Sequence, residues 1–238
     1  MAKGSGGTRT SGPKGSASKA IIETNAAWFD SGTSADETLR EESGKAWISM
    51  SSEQRDAFEA YTGDDYAAMN RIMREDTPST TPYIDDLKEQ IEEIAAAIGK
   101  TSLKKAISVQ RVEGISGLKK FGVDPKSINS DTIKNLVGRT GTEKAFTSTC
   151  VVRGAAQKMD GNFDVVYNIR LPKGAKAIYT EPFSTYGSGA GRSWDGKSKQ
   201  KQIGSEAELL IQRGAKYRIT GARKAADGFY HIDMDLIK

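Results

Sequence analysis

One cysteine, Cys150, and one histidine, His231, are all that 238 residues supply of these two reactive side chains. A single thiol excludes an intramolecular disulfide framework. Together the two scarcities exclude zinc sites built from Cys and His and nearly all histidine-dependent triads. Long apolar runs are missing as well. No stretch approaches the roughly 18 apolar residues a bilayer helix needs, and Met1–Gly15 has no apolar core of the signal-peptide kind. A soluble chain without an ordinary export signal, acting in a cytosol, is expected. Its chemistry falls to carboxylates, hydroxyls and arginines.

Charge of one sign is also lacking over most of the chain. The formal +4 resides in Met1–Lys19, where Lys3, Arg9, Lys14 and Lys19 meet no acid, and the remainder balances at 31 basic and 31 acidic groups. No nucleic-acid partner is expected for a neutral domain. Within it, residues 20–98 carry 6 basic and 18 acidic side chains, and residues 99–238 carry 25 and 13. The basic half could host an anionic ligand; alternatively, the two segments are complementary lobes of one domain.

Residues 1–19, rich in Gly, Ser, Thr and Lys, have the composition of a flexible tail. Residues 20–238 are expected to form one catalytic domain, with a helical lobe over about 20–104 and a β core over about 105–238. Helices are predicted at Ala20–Phe29 and Asp36–Ser43, and from the capping box Ser51-Ser-Glu-Gln54 to about Tyr61. A short helix after Gly63 carries Tyr66, Met69, Asn70 and Met73. The clearest helix starts at Thr81-Pro82, with Ile84, Leu87, Ile91, Ile94 and Ile98 at spacings of three and four and Gly99 as its stop. Beyond residue 105 the period becomes that of strands: Ala106–Val112, Ala145–Val152, Phe163–Leu171, Ala175–Tyr179, Glu206–Gln212, Tyr217–Ala222 and Phe229–Leu236. A short helix, Ser130–Val137, interrupts them, and Asp227-Gly228 signals a hairpin. Helices first and strands afterwards give an α+β fold, N-terminal helices packed on a mostly antiparallel two-sheet β core.

Two patterns mimic sites. Gly191-Arg-Ser-Trp-Asp-Gly196-Lys197-Ser198 fits the phosphate-cradling P-loop, which works only between a buried strand and a helix N-terminus. Here the upstream segment reads as a loop, and Gly204 cuts the downstream one short. His231, Asp233 and Asp235 share one face of the last strand, but alternation with Ile232, Met234 and Leu236 is what any half-buried strand shows, and no metal is expected.

Glu206 and Glu208 stand at i and i+2 at the head of Glu206-Ala-Glu-Leu-Leu-Ile211. In an extended strand both would project from one face within roughly 7 Å. Paired carboxylates suit an anomeric carbon, where one stabilises an oxocarbenium-like centre and the other handles a proton; a solvated face gives the same pattern. Phe146-Thr147-Ser148-Thr149 adds a hydroxyl cluster. Ser108-Val109-Gln110-Arg111-Val112 adds a lone arginine in an apolar strand, costly to bury unless it is paired or bound to an anion. An arginine for a pyrophosphate, a serine to orient a carboxylate and a Glu pair would form a site for a dinucleotide broken at its glycosidic bond.

In these residues the sequence resembles the mono-ADP-ribosyltransferase toxins and exoenzymes with an Arg, Ser-Thr-Ser, Glu-x-Glu signature, a group that includes actin-modifying binary toxins, Rho-modifying exoenzymes and phage effectors. The resemblance covers about residues 45–238 and includes Tyr61-Thr-Gly-Asp-Asp-Tyr66-Ala-Ala-Met-Asn70-Arg-Ile-Met-Arg74, Tyr167–Gly174 and Ala177-Ile-Tyr179. It departs at Cys150, where the family has its third hydroxyl. It implies NAD as substrate and a target protein as partner, with a delivery or immunity partner also possible. Arg111 would hold the NAD phosphates, Ser148 would position Glu208, and Glu208 would bind the ribose and stabilise the oxocarbenium ion. Tyr66, Asn70 and Thr149 would complete the dinucleotide site, with Arg153 or Lys158 left unassigned. Glu206 would serve the acceptor, since in the family a Glu here goes with arginine acceptors and a Gln with asparagine or others. The loop Glu181–Ser205 would recognise the acceptor, with Trp194 as its aromatic contact. Transfer to arginine is the expected activity; an NAD glycohydrolase and an idle phage or virion relative are the alternatives.

Overall fold

The computed structural model describes residues 26–75, 80, 83–159, 161–187, 191–197 and 207–238. The basic tail and Glu206 lie outside these residues. Helix α1 (Gly32–Ser49) opens on Ser31, whose hydroxyl accepts from the Ser34 N–H. It is longer than predicted because its buried face carries Asp36, Arg40, Ser43 and Gly44, which no apolar period reveals. The capping box forms as predicted: Ser51 and Gln54 bond reciprocally at the head of α2 (Ser52–Ala60). A π-helical turn, Tyr61–Asp65, leads into α3 (Tyr66–Arg74), with Gly63 off helical angles. In α4 (Ile84–Gly99) the predicted stripe Leu87, Ile91, Ile94 and Ile98 is buried.

One predicted helix is corrected. The described part of Ala20–Phe29 is extended, with Ala27 bridging Ile107 and Phe29 bridging Val152. Its backbone groups are satisfied by Ala106 and Ser108 of the core, and that pairing overrides the local helix preference. Ser130–Val137 likewise tightens to a 3-10 turn at Ile133–Leu136.

The strands are β1 (Ile107–Glu113), β2 (Thr140–Glu143), β3 (Thr147–Cys150), β4 (Val165–Leu171), β5 (Ala177–Tyr179), β6 (Glu208–Ile211), β7 (Ala215–Lys224) and β8 (Tyr230–Leu236). They form one sheet in the order β2-β7-β8-β4-β1-β3-β6-β5, antiparallel except for β4 with β8. The two sheets expected from the sequence are thus two halves of one. The halves meet at a narrow seam where β1 and β3 share the single pair Gln110↔Cys150, against seven pairs between β1 and β4. The seam positions the site, because it brings Arg111, Ser148 and the start of β6 side by side.

Two apolar clusters flank it. One covers the larger half of the sheet with Leu118, Phe121, Ile133 and Leu136. The other sets the helices on Phe146, Ile178 and Leu210 of the smaller half. The acidic and basic segments meet in ion pairs, Arg213 with Glu92 and Arg192 with Asp56 and Glu59, which fits complementary lobes. These pairs are largely exposed, so burial of the apolar clusters supplies most of the cohesion. Among the described residues, no helix is long and apolar enough to cross a membrane.

Candidate active site

Between α3 and the seam lies a cavity of about 710 Å³. Tyr66, Asn70, Arg111, Ser148, Thr149 and Glu208, the described residues expected for NAD, all line it. Glu208 opens β6 opposite Cys150. The Ser148 hydroxyl donates to its Oε1 at 2.6 Å, and the Thr180 hydroxyl donates to its Oε2 at 2.6 Å. Ala207, just before it, has a left-handed φ of 45°. The described part of β6 therefore begins at Glu208, and the same-face reading of Glu206 and Glu208 falls outside the described residues.

Arg111 is pinned on both sides. Its Nη1 donates to the Ser148 carbonyl at 2.9 Å, and its Nε and Nη2 donate to Glu113 Oε1 at 3.3 and 3.2 Å. From Glu113 a chain of ion pairs continues: Lys120 bonds Glu113 at 2.9 Å and Glu143 at 3.1 Å, and Arg74 of α3 bonds Glu143 at 2.9 Å. Gly117 makes room for it, since a Cβ there would meet Glu113 Oε2 at 2.2 Å. Burial alone would raise the Glu113 carboxyl, but Lys120 and Arg111 outweigh it and hold the group at about 2. Burial opposes ionisation at Glu143 too, and Lys120 and Arg74 still lower its pKa. Arg111 and Arg74, held in place by these carboxylates, both reach the cavity wall and present guanidinium groups suited to a bound anion.

Both carboxylates titrate below their ordinary value of 4.5, so their stabilisation is present above that pH and is lost as pH falls below it, for Glu113 on approaching about 2. The thermal midpoint of the wild type is expected to drop across this window. At neutral pH, Lys120→Met is expected to cost about 3–5 kcal/mol in urea denaturation, because it leaves buried carboxylates short of a partner. An unchanged midpoint would show that the chain of pairs contributes no more than a surface one.

On the helical side, Asn70 Oδ1 accepts from the Tyr61 hydroxyl at 3.3 Å, and burial keeps that phenol above its ordinary pKa and neutral. The Thr149 hydroxyl is taken by the Leu209 carbonyl at 2.8 Å. Arg153 stacks over Trp28 at 5.5 Å, and neither it nor Lys158 lines the cavity. Sequence reasoning missed Arg74, Lys120, Glu113, Glu143 and Thr180. Arg74 was within reach, being one helical turn after Asn70, and so was Glu113, two residues after Arg111 on a strand.

Trp194 is not an acceptor contact. It is 3% exposed, with its ring 6.5 Å from Trp47 and 6.2 Å from Phe183, and its carbonyl accepts from Trp47 Nε1 at 2.8 Å. Gly44 permits this approach, since a Cβ there would lie 2.2 Å from the Gly196 carbonyl oxygen. Trp194→Ala is expected to cost about 3–5 kcal/mol, read as a lowered denaturation midpoint. A midpoint equal to wild type would contradict a core role. The aromatic that the loop exposes is Tyr186, at 75%, its hydroxyl bonded to Asp64 at 2.9 Å.

Among the described residues, the P-loop pattern has no buried strand before it. Residues 180–187 form turns rather than a strand, and Gly191–Ser193 is a 3-10 turn. Ser198 lies outside the described residues. The three side chains of the metal pattern bind apart: His231 to Asp227, Asp233 to Asn168 and Arg223, and Asp235 to Arg170.

A family model described as ADP-ribosyltransferase exoenzyme matches residues 36–235. Comparison with curated proteins gives no match. Among solved structures, the chain is similar to Plx2a, an ADP-ribosyltransferase toxin from Paenibacillus larvae, with 22% identity, 87% of this chain and 96% of that one covered, and a TM-score of 0.67. It is also similar to the Clostridium limosum C3 exoenzyme, with 20% identity, 90% and 98% covered, and a TM-score of 0.68. A third likeness is BECa, an ADP-ribosylating toxin of a C. perfringens binary enterotoxin, solved with NADH: 22% identity, 86% and 48% covered, TM-score 0.62. At these identities the solved structures speak for the fold.

Proposed function

This chain belongs to the ADP-ribosyltransferase exoenzyme family, and on that premise we propose that it transfers ADP-ribose from NAD to an arginine side chain of a target protein, releasing nicotinamide. The observation that carries this reading is the Glu208 carboxylate, held by a hydroxyl on each oxygen at one cavity that Arg111 and Arg74 also line. The cavity suits the substrate. Its volume is that of a cofactor site, the Arg111 and Arg74 guanidinium groups in its wall match a diphosphate, and the fixed carboxylate matches a cation developing at the anomeric carbon.

In this proposal Arg111, with Arg74, takes the phosphates, and Tyr66 and Asn70 receive the dinucleotide from the helical side. Glu208 bonds the nicotinamide ribose and stabilises the positive charge as the C1′–N bond breaks and its electron pair leaves with nicotinamide. A guanidine nitrogen of the acceptor then forms the new bond to C1′, and its proton passes to Glu206. Support for arginine is the glutamate at position 206, the residue type that goes with arginine acceptors in the resemblance above.

Nicotinamide release from NAD, followed with and without a small guanidine compound such as agmatine, tests this. Faster release with an ADP-ribosyl-guanidine product is expected. Release indifferent to guanidine, with free ADP-ribose as product, would make the protein a glycohydrolase or assign another acceptor. No release by the folded protein would mean an idle relative.

A further inference from the structure

We propose that Thr180 is a positioning residue for the reaction, acting through Glu208 as the second arm of a two-hydroxyl clamp. The inference rests on the proposed role of Glu208.

Thr180 follows β5 directly and is fully buried, 0% exposed. Its backbone N–H donates to the Glu208 carbonyl at 3.0 Å, continuing the β5–β6 pairing. That bond alone sets the backbone distance between the two residues. The side chain does something separate. Its Oγ1 lies 2.6 Å from Glu208 Oε2 and 3.4 Å from the Glu208 carbonyl oxygen. A hydroxyl has one proton, and the shorter contact, to the side-chain oxygen, is the stronger. A buried threonine needing only a partner for its hydroxyl has a backbone carbonyl within reach, yet this one is directed at the carboxylate.

With Ser148 alone, the carboxylate is tethered at Oε1 and free to swing about that point. With Thr180 on Oε2, both oxygens are fixed and the plane of the group is set. Each oxygen keeps a further lone pair for substrate. A carboxylate that stabilises a cation at one atom acts through its distance and direction, so a fixed plane needs no reorganisation as charge develops. Thr180 touches the carboxylate rather than the reacting atoms, and the groups proposed for the phosphates, Arg111 and Arg74, lie on other elements and are held by other partners. Its loss should therefore appear in kcat and not in the KM for NAD.

The test compares wild type, Thr180→Val, Thr180→Ser and Ser148→Ala with the Ser148→Ala, Thr180→Val double variant, measuring steady-state nicotinamide release and checking each fold by circular dichroism. Thr180→Val is expected to lower kcat about 10- to 100-fold with KM within about twofold, and Thr180→Ser to restore kcat to within about threefold. The double variant should lose less than the product of the single losses, because both hydroxyls hold one group. Wild-type kcat in a folded Thr180→Val overturns the clamp while leaving the functional reading intact. Failure of Thr180→Ser to restore activity assigns the effect to packing and overturns it too. If Thr180→Val does not fold, Thr180→Ala takes its place; if neither folds, the residue is structural and the proposal fails. Absence of release by the wild type would instead sink the functional reading, and the clamp with it.

Discussion

Glu208→Gln is expected to abolish both ADP-ribosyl transfer and NAD hydrolysis, with a fall in kcat on the order of 10²–10³. The two reactions share one event, departure of nicotinamide from C1′, and the proposed contribution of Glu208 is a full negative charge held near that carbon. An amide keeps the size of the side chain and one acceptor oxygen but carries no charge. Of the two hydroxyls at 2.6 Å, the one facing the amide nitrogen would also lose its acceptor. NAD binding should weaken far less, because the cations proposed for the phosphates, Arg111 and Arg74, are held by Glu113 and Glu143 and not by Glu208. The measurement is steady-state nicotinamide release together with NAD titration. Turnover near wild type would remove Glu208 from the mechanism.

Glu206→Gln is expected to separate the two reactions. A guanidinium in water is protonated and a poor nucleophile, so attack on C1′ requires a base, whereas nicotinamide departure does not. Loss of that base should lower transfer to arginine by about 10²–10⁴, the usual contribution of general acid–base catalysis, and leave much of the slow hydrolysis, in which water is the acceptor. Parallel assays of labelled transfer and nicotinamide release on one preparation give the ratio. Equal loss of both in a folded variant would assign Glu206 a structural or substrate-binding role and take away the main support for arginine.

What could be read from the sequence follows a physical division. Local signals carried through: the Ser51–Gln54 box and the three-four stripe of α4 depend on neighbours along the chain. Elements set by distant pairing did not. Ala26–Phe29 has helix-compatible composition but pairs with the core, and β2, four residues long with polar side chains, becomes a strand only because β7 offers an edge. The candidate site divides in the same way. Arg111, Ser148 and Glu208, which the fold brings to one cavity, could be singled out because each sits in a recognisable motif. Thr180 gave no sign, because its contact with Glu208 exists only through the register of β5 on β6. Lys120 was equally silent, since its two partners come from different strands. Trp194 misled because a Gly- and Ser-rich surrounding does not say whether an aromatic ring is exposed, and here Gly44 and Gly196 let the loop close over the helices. The pairing of Glu206 with Glu208 on one strand face lies outside the described residues, which resume at Ala207 with a left-handed φ of 45°.

The proposed transfer of ADP-ribose from NAD to arginine is tested by incubating the protein with labelled NAD and a cell lysate and identifying the modified residues by mass spectrometry. ADP-ribose is expected on arginine side chains of a discrete target, and not with Glu208→Gln. Label confined to asparagine or another residue, or no label on protein while nicotinamide is released, would contradict it.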